Sequence, residues 1–133
     1  MDKEKIYVFG CGYQGRTLEL LIGTLVDNGI EMVIDVRSYA SSWHRPELSK
    51  NNLSSSLRSA GIAYEHAGRS VGGKIKNVGF SAKIDQLSDM ARRGNRMCLL
   101  CLESDETQCH RTSKLKPAFA RRGVELVELV FAE

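Results

Sequence analysis

The sequence predicts an α/β fold: a three-layer sandwich around a mostly parallel five-stranded sheet. Two observations carry that reading. Short apolar runs alternate with segments of helical periodicity along the whole chain, the signature of successive strand–helix–strand units with helices on both sheet faces. The 133 residues contain no repeat, linker or low-complexity segment, which suits one domain spanning 1–133.

The elements follow in order. Ile6-Tyr7-Val8-Phe9 is a short apolar run ending in glycines, as a buried strand would be. Thr17 is a helix cap, followed by an apolar stripe at Leu18, Leu21, Ile22, Leu25 and Val26 that Gly29 stops. Met32 to Val36 reads as a second buried strand. Residues 37–50 form a polar loop containing Trp43 and Pro46, long enough to carry function rather than merely connect. Leu53, Leu57 and Ala60 mark a second helix closed by Gly61, and Ile62 to His66 a third strand. The Gly- and Lys-rich segment from Gly68 to Gly79 is expected to be mobile. Ser81 then caps a helix carrying Ile84, Leu87 and Ala91, ended near Gly94. Met97 to Leu102 is the most apolar strand. A last helix runs from about Cys109 to Arg122, and Pro117 should bend or break it near Ser113 to Lys116 before the strand Val124 to Val130.

Composition excludes several classes. A hydrophobic fraction of 42% and a charged fraction of 26% are ordinary for a globular protein. Four cysteines are too few and too irregular for a disulfide framework, which favours a reducing, cytoplasmic setting. No apolar run reaches membrane-span length, and Met1 to Lys5 leads straight into a strand rather than a signal peptide. A net charge of +3 permits an anionic ligand without demanding nucleic acid, because the basic residues are scattered.

In a parallel sheet, ligands bind outside the carboxyl ends of the strands. That rule gathers Gly12 to Arg16, Asp35 to Arg37, His66 to Arg69, Cys101 to Glu103 and Cys109-His110-Arg111 at one edge. Cys98 and Cys101, three apart on a strand, point to opposite faces, so a zinc site is not expected and Cys98 is a small buried hydrophobe. Cys109 at a helix start beside Arg111 has the setting of an activated thiol, against the alternative that it only packs. Neither Cys101 nor Cys109 opens a Cys-x5-Arg phosphate loop, because Thr107 and Leu115 stand where Arg is needed. Arg37 and Arg111 together could clamp a phosphate or carboxylate; alternatively Asp35 pairs with one of them. Glu103 and His110 are candidate proton donors and acceptors. Gly10-Cys11-Gly12-Tyr13-Gln14-Gly15 is a literal G-x-G-x-x-G between strand and helix, with Asp35 at the distance of a ribose-binding acid. Glu19 stands where close helix–sheet packing wants a small residue, and the chain lacks a second half for a dehydrogenase. The alternative is that the glycines form a sharp turn whose amides cradle another anion.

A family pattern runs along nearly the whole chain. It comprises Gly12-Tyr13-Gln14-Gly15-Arg16-Thr17-Leu18, Ile34-Asp35-Val36-Arg37-Ser38, Pro46-Glu47-Leu48-Ser49-Lys50, Gly61 to His66, Leu100-Cys101-Leu102-Glu103 and Cys109-His110-Arg111. In this the chain resembles the bacterial and archaeal family called domain of unknown function 488. The resemblance implies an α/β fold and supplies no reaction or cofactor. Gly10 is not in the shared pattern, which lowers the dinucleotide reading. The chain departs from the family at Ala40, where Pro is common, at Ala67-Gly68, where Leu-Pro is usual, and in a longer segment after Arg111 carrying Pro117.

The leading expectation is a cytoplasmic enzyme for a small anionic, phosphate- or nucleotide-like substrate. Arg37 and Arg111 would bind it, helped by Gly12, Tyr13, Gly15, Arg16 and Asp35, and Cys101, Glu103, Cys109 and His110 would supply the chemistry. No metal is expected, and the cofactor is unknown. The alternatives are a non-catalytic nucleotide-binding or regulatory module using the Gly-rich turn and Asp35, a nucleic-acid accessory protein using Trp43, Arg45, Lys50, Lys74 and Lys76, and a redox role for Cys101 or Cys109.

Overall fold

The computed structural model describes residues 5–102 and 110–132. Its elements run β1 (Ile6–Gly12), α1 (Leu18–Asp27), β2 (Met32–Asp35), a short 3-10 turn (Pro46–Leu48), α2 (Lys50–Ser59), β3 (Ala63–His66), α3 (Gly68–Val71), α4 (Phe80–Arg92), β4 (Met97–Cys101), a π turn (Arg111–Leu115), α5 (Lys116–Ala120) and β5 (Val124–Glu128). The five strands form one sheet in the order β3-β2-β4-β1-β5, and every pairing is parallel. The expected α/β architecture is present, with a sheet that is wholly rather than mostly parallel.

Strand alternation divides the core into two layers. On one face Cys11, Val33, Cys98 and Leu100 pack under Leu21 and Leu25 of α1 and Leu53 and Leu57 of α2. On the other, Val8, Ile34, Leu99, Cys101 and Leu126 meet Ile84 and Leu87 of α4 and Phe119 of α5. Burying each of these Leu, Ile or Phe side chains contributes about 1.5–3 kcal/mol. Central β4 is covered on both sides, which explains its uninterrupted apolar sequence Met97 to Cys101. Cys98 and Cys101 indeed occupy opposite faces.

Local signals act where the residue types place them. The Thr17 hydroxyl accepts from the Leu20 amide at 3.0 Å and starts α1, while Gly29, with φ of +67°, ends the turn behind it. Helix α4 begins one residue before the expected Ser81, after Gly79. Strands β2, β4 and β5 are one or two residues shorter than their apolar runs. The last helix is interrupted where Pro117 demands it. Proline has no N–H for the carbonyl four residues back, and the chain before it widens so that the Lys116 amide reaches the Arg111 carbonyl. No long helix follows: α5 has five residues.

The segment expected to be mobile is instead packed at its start. A Cβ on Gly68 would stand 2.0 Å from the Arg37 carbonyl oxygen, and one on Gly72 2.5 Å from the Ser38 hydroxyl. Helix α3 therefore lies directly under the loop after β2, at a distance only glycine permits. The low hydrophobicity of this segment reflects close backbone approach, which periodicity does not report.

Candidate functional site

The first two connections, after β1 and β2, lead to α1 and α2 on one face, whereas that after β4 leads to α5 on the other. Since β4 lies between β1 and β2, the carboxyl end of β4 sits where the chain's winding reverses, and a crevice opens there. A cavity of about 260 Å³ occupies it, lined by Tyr13 from the loop after β1, Arg37, Ser38 and Tyr39 from that after β2, and Cys101 at the end of β4. Lys74 and His110 complete the wall.

Arg37 is fixed by a buried carboxylate. Its Nε donates to Asp35 Oδ1 at 2.8 Å and its Nη2 to Oδ2 at 2.7 Å, a two-pronged pair that the Arg37 amide reinforces at 3.1 Å. Burial works against the guanidinium charge, but the hydrogen bonds and charge of Asp35, with Tyr13 adding to them, hold the Arg37 pKa above its ordinary value. Nη1 donates to the hydroxyl of Tyr13, which lines the cavity with Arg37, at 3.3 Å. The Tyr64 hydroxyl donates to the remaining side of Asp35. Burial and the adjacent carboxylate push the Tyr64 phenol up, with Arg37 opposing. His66 Nε2 donates to the Arg37 carbonyl at 2.7 Å, so the loop is tied from β3 as well.

Asp35 is fully buried and engaged on both oxygens. That corrects its candidacy as a ribose-binding acid or a ligand contact: it orients Arg37. The ion-pair alternative is the arrangement present.

Arg111 is corrected more strongly. It is completely buried and does not line the cavity. Its Nε and Nη2 grip Glu128 at 3.0 and 2.8 Å, and Nη1 donates to the Cys11 carbonyl at 3.1 Å and to Cys101 Sγ. The two arginines therefore do not form a clamp; each has its own carboxylate, on different parts of the edge. Glu128 was not singled out by sequence reasoning. The available signal is position: it ends the last strand two residues beyond the buried Leu126, on the same face.

The Gly-rich turn is also occupied by the protein itself. The Tyr13 and Gln14 amides donate to the Leu102 carbonyl at 3.2 and 2.8 Å, so these two are not aimed at an anion. Arg16 donates to the Gly12 carbonyl at 2.9 Å and stacks on Phe131 at 3.6 Å, outside the cavity wall. Gly15 takes φ of +77° in the turn, and Gly10 makes room for Arg111 and Glu128. The first and last glycines of the G-x-G-x-x-G string thus have structural reasons.

His110 lines the cavity and its Nε2 donates to the Val71 carbonyl at 3.0 Å. In the neutral ring this assigns Nδ1 as the basic nitrogen. Cys101 is disulfide-bonded, whereas Cys11 and Cys98 are free thiols 3.4 Å apart. Burial, with Cys11 alongside, pushes the Cys98 thiol well up. Glu103 and Cys109 lie outside the described residues. Among the described residues no three His, Cys, Asp or Glu side chains converge on a metal position, and no helix is long and apolar enough to cross a membrane.

Comparison with known families finds one match. Residues 17–78 match the family model of domain of unknown function DUF488. The resemblance to DUF488 read from the motifs is therefore shown over a little under half of the chain. That span contains Asp35, Arg37, Ser38, Tyr64, His66, Gly68 and Lys74, and ends before Cys101, His110 and Arg111. No curated protein and no solved structure matches the chain.

Proposed function

We propose that the protein is an enzyme acting on a small anionic, phosphate- or nucleotide-like substrate, bound at the carboxyl edge of the sheet. The observation that carries this reading is Arg37: a guanidinium locked by a buried carboxylate in a residue that lines a cavity of about 260 Å³. Pre-positioned cations of this kind bind anions without the entropy cost of ordering a long side chain. Lys74, exposed in the cavity wall with its amide bonded to the Ser38 hydroxyl, supplies the charge that Arg37 shares with Asp35. The Tyr13 hydroxyl accepts from Arg37, which leaves its own proton for a substrate oxygen. His110 lines the same cavity, its ring positioned by the Nε2 bond to the Val71 carbonyl, and is the candidate for proton transfer. Arg111 is not part of this binding set.

Thermal melting with inorganic phosphate, AMP, NAD and acetate tests the reading. At least one phosphate compound should raise the Tm of the wild type, by the mass-action stabilisation of bound over unfolded protein. Lys74→Ala and Tyr13→Phe should fold normally and lose most of that rise. If no anion raises the Tm, or if Lys74→Ala responds as the wild type does, the anion site is wrong.

A further inference from the structure

We propose that the substrate is a nucleoside monophosphate, its base stacking on Tyr39 while its phosphate lies with Arg37 and Lys74. This rests on the anion-binding reading and adds to it the part of the ligand beyond the phosphate.

Three observations carry it. The first is exposed apolar surface in the cavity wall. Tyr39 is 63% exposed and Leu102 38%, and both line the cavity that Arg37, Ser38 and Lys74 also line. A lone apolar side chain on a surface needs no explanation. Two of them, from different connections, in the wall of one cavity mark a binding face.

The second is that the backbone is pinned on both sides of Tyr39. The Ser38 hydroxyl accepts from the Lys74 amide at 2.8 Å, and a Cβ on Gly72 would stand 2.8 Å from the Ser38 Cα. The Ala40 carbonyl accepts from the Lys50 amide at 2.7 Å. The exposure of Tyr39 therefore belongs to the folded loop, and a ligand stacking there orders one side chain rather than a segment.

The third is size. A cavity of about 260 Å³ holds the liquid volume of about nine waters, more than a lone tetrahedral anion fills. It is also smaller than the roughly 300–1,000 Å³ of sites that enclose an organic ligand. A phosphate ester fits by seating its anionic end inside and leaving its other end at the rim. Arg37 and Tyr39 are two residues apart, so their Cα atoms are separated by at most about 7 Å, and a short linker such as ribose joins the two ends. A half-open rim gives an alkyl tail little burial. A base gains from contact on one face alone and keeps its polar edge in water.

The test is titration calorimetry on the full chain with AMP, ribose 5-phosphate and inorganic phosphate. Wild type should bind AMP about tenfold or more tighter than ribose 5-phosphate, the effect of one stacked base. Tyr39→Ala, a surface change, should fold as the wild type does and lose about tenfold in AMP affinity, with ribose 5-phosphate affinity kept within about twofold. Tyr39→Phe retains the ring and should retain the AMP preference. Trp43→Ala, on the same loop but not in the described cavity wall, should leave that preference unchanged. Equal affinity for AMP and ribose 5-phosphate, a Tyr39→Ala loss shared by both, or a preference lost in Trp43→Ala and kept in Tyr39→Ala overturns the base position and leaves the anion site standing. Binding of none of the three overturns the anion reading and this one with it.

Discussion

Gly10→Ala separates the two explanations of the G-x-G-x-x-G string, because its effect should run through Glu128 rather than through any ligand. A Cβ at position 10 would lie 2.6 Å from Glu128 Oε2 and 3.2 Å from Arg111 Cδ. The Glu128 carboxylate is the flexible end and can swing outward, its side chain being 24% exposed. Arg111 cannot follow, because it is fully buried and bound to Cys11 and Cys101. Taking one partner from a buried pair costs about 3–5 kcal/mol, and water reaching Glu128 places this case at the low end, about 3 kcal/mol. Replacing glycine by alanine within a strand returns about 0.5–1 kcal/mol of backbone entropy. The expected net loss is about 2–3 kcal/mol, measurable by urea denaturation as a lower midpoint at constant slope. In a Glu128→Ala background the clash partner is gone, so Gly10→Ala should cost less than about 0.5 kcal/mol there, a coupling of about 2 kcal/mol. Equal costs in the two backgrounds would refute the packing argument and reopen a ligand role for the turn.

Gly68→Ala should be worse, about 3 kcal/mol or more by the same denaturation assay. The obstacle is the Arg37 backbone carbonyl, 2.0 Å from the new Cβ, and backbone cannot swing aside. Tyr64→Phe removes a hydrogen bond to the buried Asp35 carboxylate and should cost about 1.5–3 kcal/mol, with Lys74 and His110 left in place. Alkaline pH should weaken the fold. The folded Cys98 thiol is pushed up by burial, while in the unfolded chain it ionises near the ordinary value of about 8.5. The unfolded state then binds fewer protons, so stability is full below that value and falls as pH rises above it, by at most about 1.4 kcal/mol per unit for this group. Cys98→Ala should flatten the decline between about pH 8.5 and 10 by that one-proton slope, seen in denaturation midpoints across the range.

Much of the fold was legible because its signals are local. Thr17 before the Leu18–Val26 stripe, the glycines behind each helix and the apolar run Met97 to Leu102 each act on their own neighbours, and the elements appear within a few residues of those signals. Pro117 announced a break, and the chain answered with the π turn at Arg111–Leu115. What sequence could not supply was distance across the sheet. An ion pair of Asp35 with one of the two arginines was readable as an alternative, but which arginine it would take was not. The partner of Arg111 lies on the last strand, 17 residues away; the alternation of Val124 to Val130 puts Glu128 on the face of Leu126 and Glu125 on the other, but does not say which cation Glu128 meets. The packed glycines at 68, 72 and 73 looked like looseness, since a missing side chain reads alike whether it frees the backbone or lets another chain approach.

The division between the two arginines also limits what the cavity can bind. Arg37 brings its own counter-ion in Asp35, and Arg111 is spent on Glu128, so neither adds a full uncompensated charge to the edge. Arg45, one of the residues expected to reach a nucleic-acid backbone, is paired with Glu47 at 3.2 Å and donates to the Tyr13 carbonyl. A polyanion needs several cations spread along a surface, each neutralising one phosphate, and its binding falls steeply with salt. A single small anion needs one fixed guanidinium, one exposed ammonium and a few directed hydroxyls, the set that Arg37, Lys74, Ser38 and Tyr13 place around this cavity. Binding of phosphate or a mononucleotide here should therefore weaken only modestly between low and physiological salt. A steep salt dependence, measured by calorimetry, would move the assignment from a small substrate to an extended one. Trp43, 88% exposed on the same loop, would then be the first side chain to test for stacking on a base.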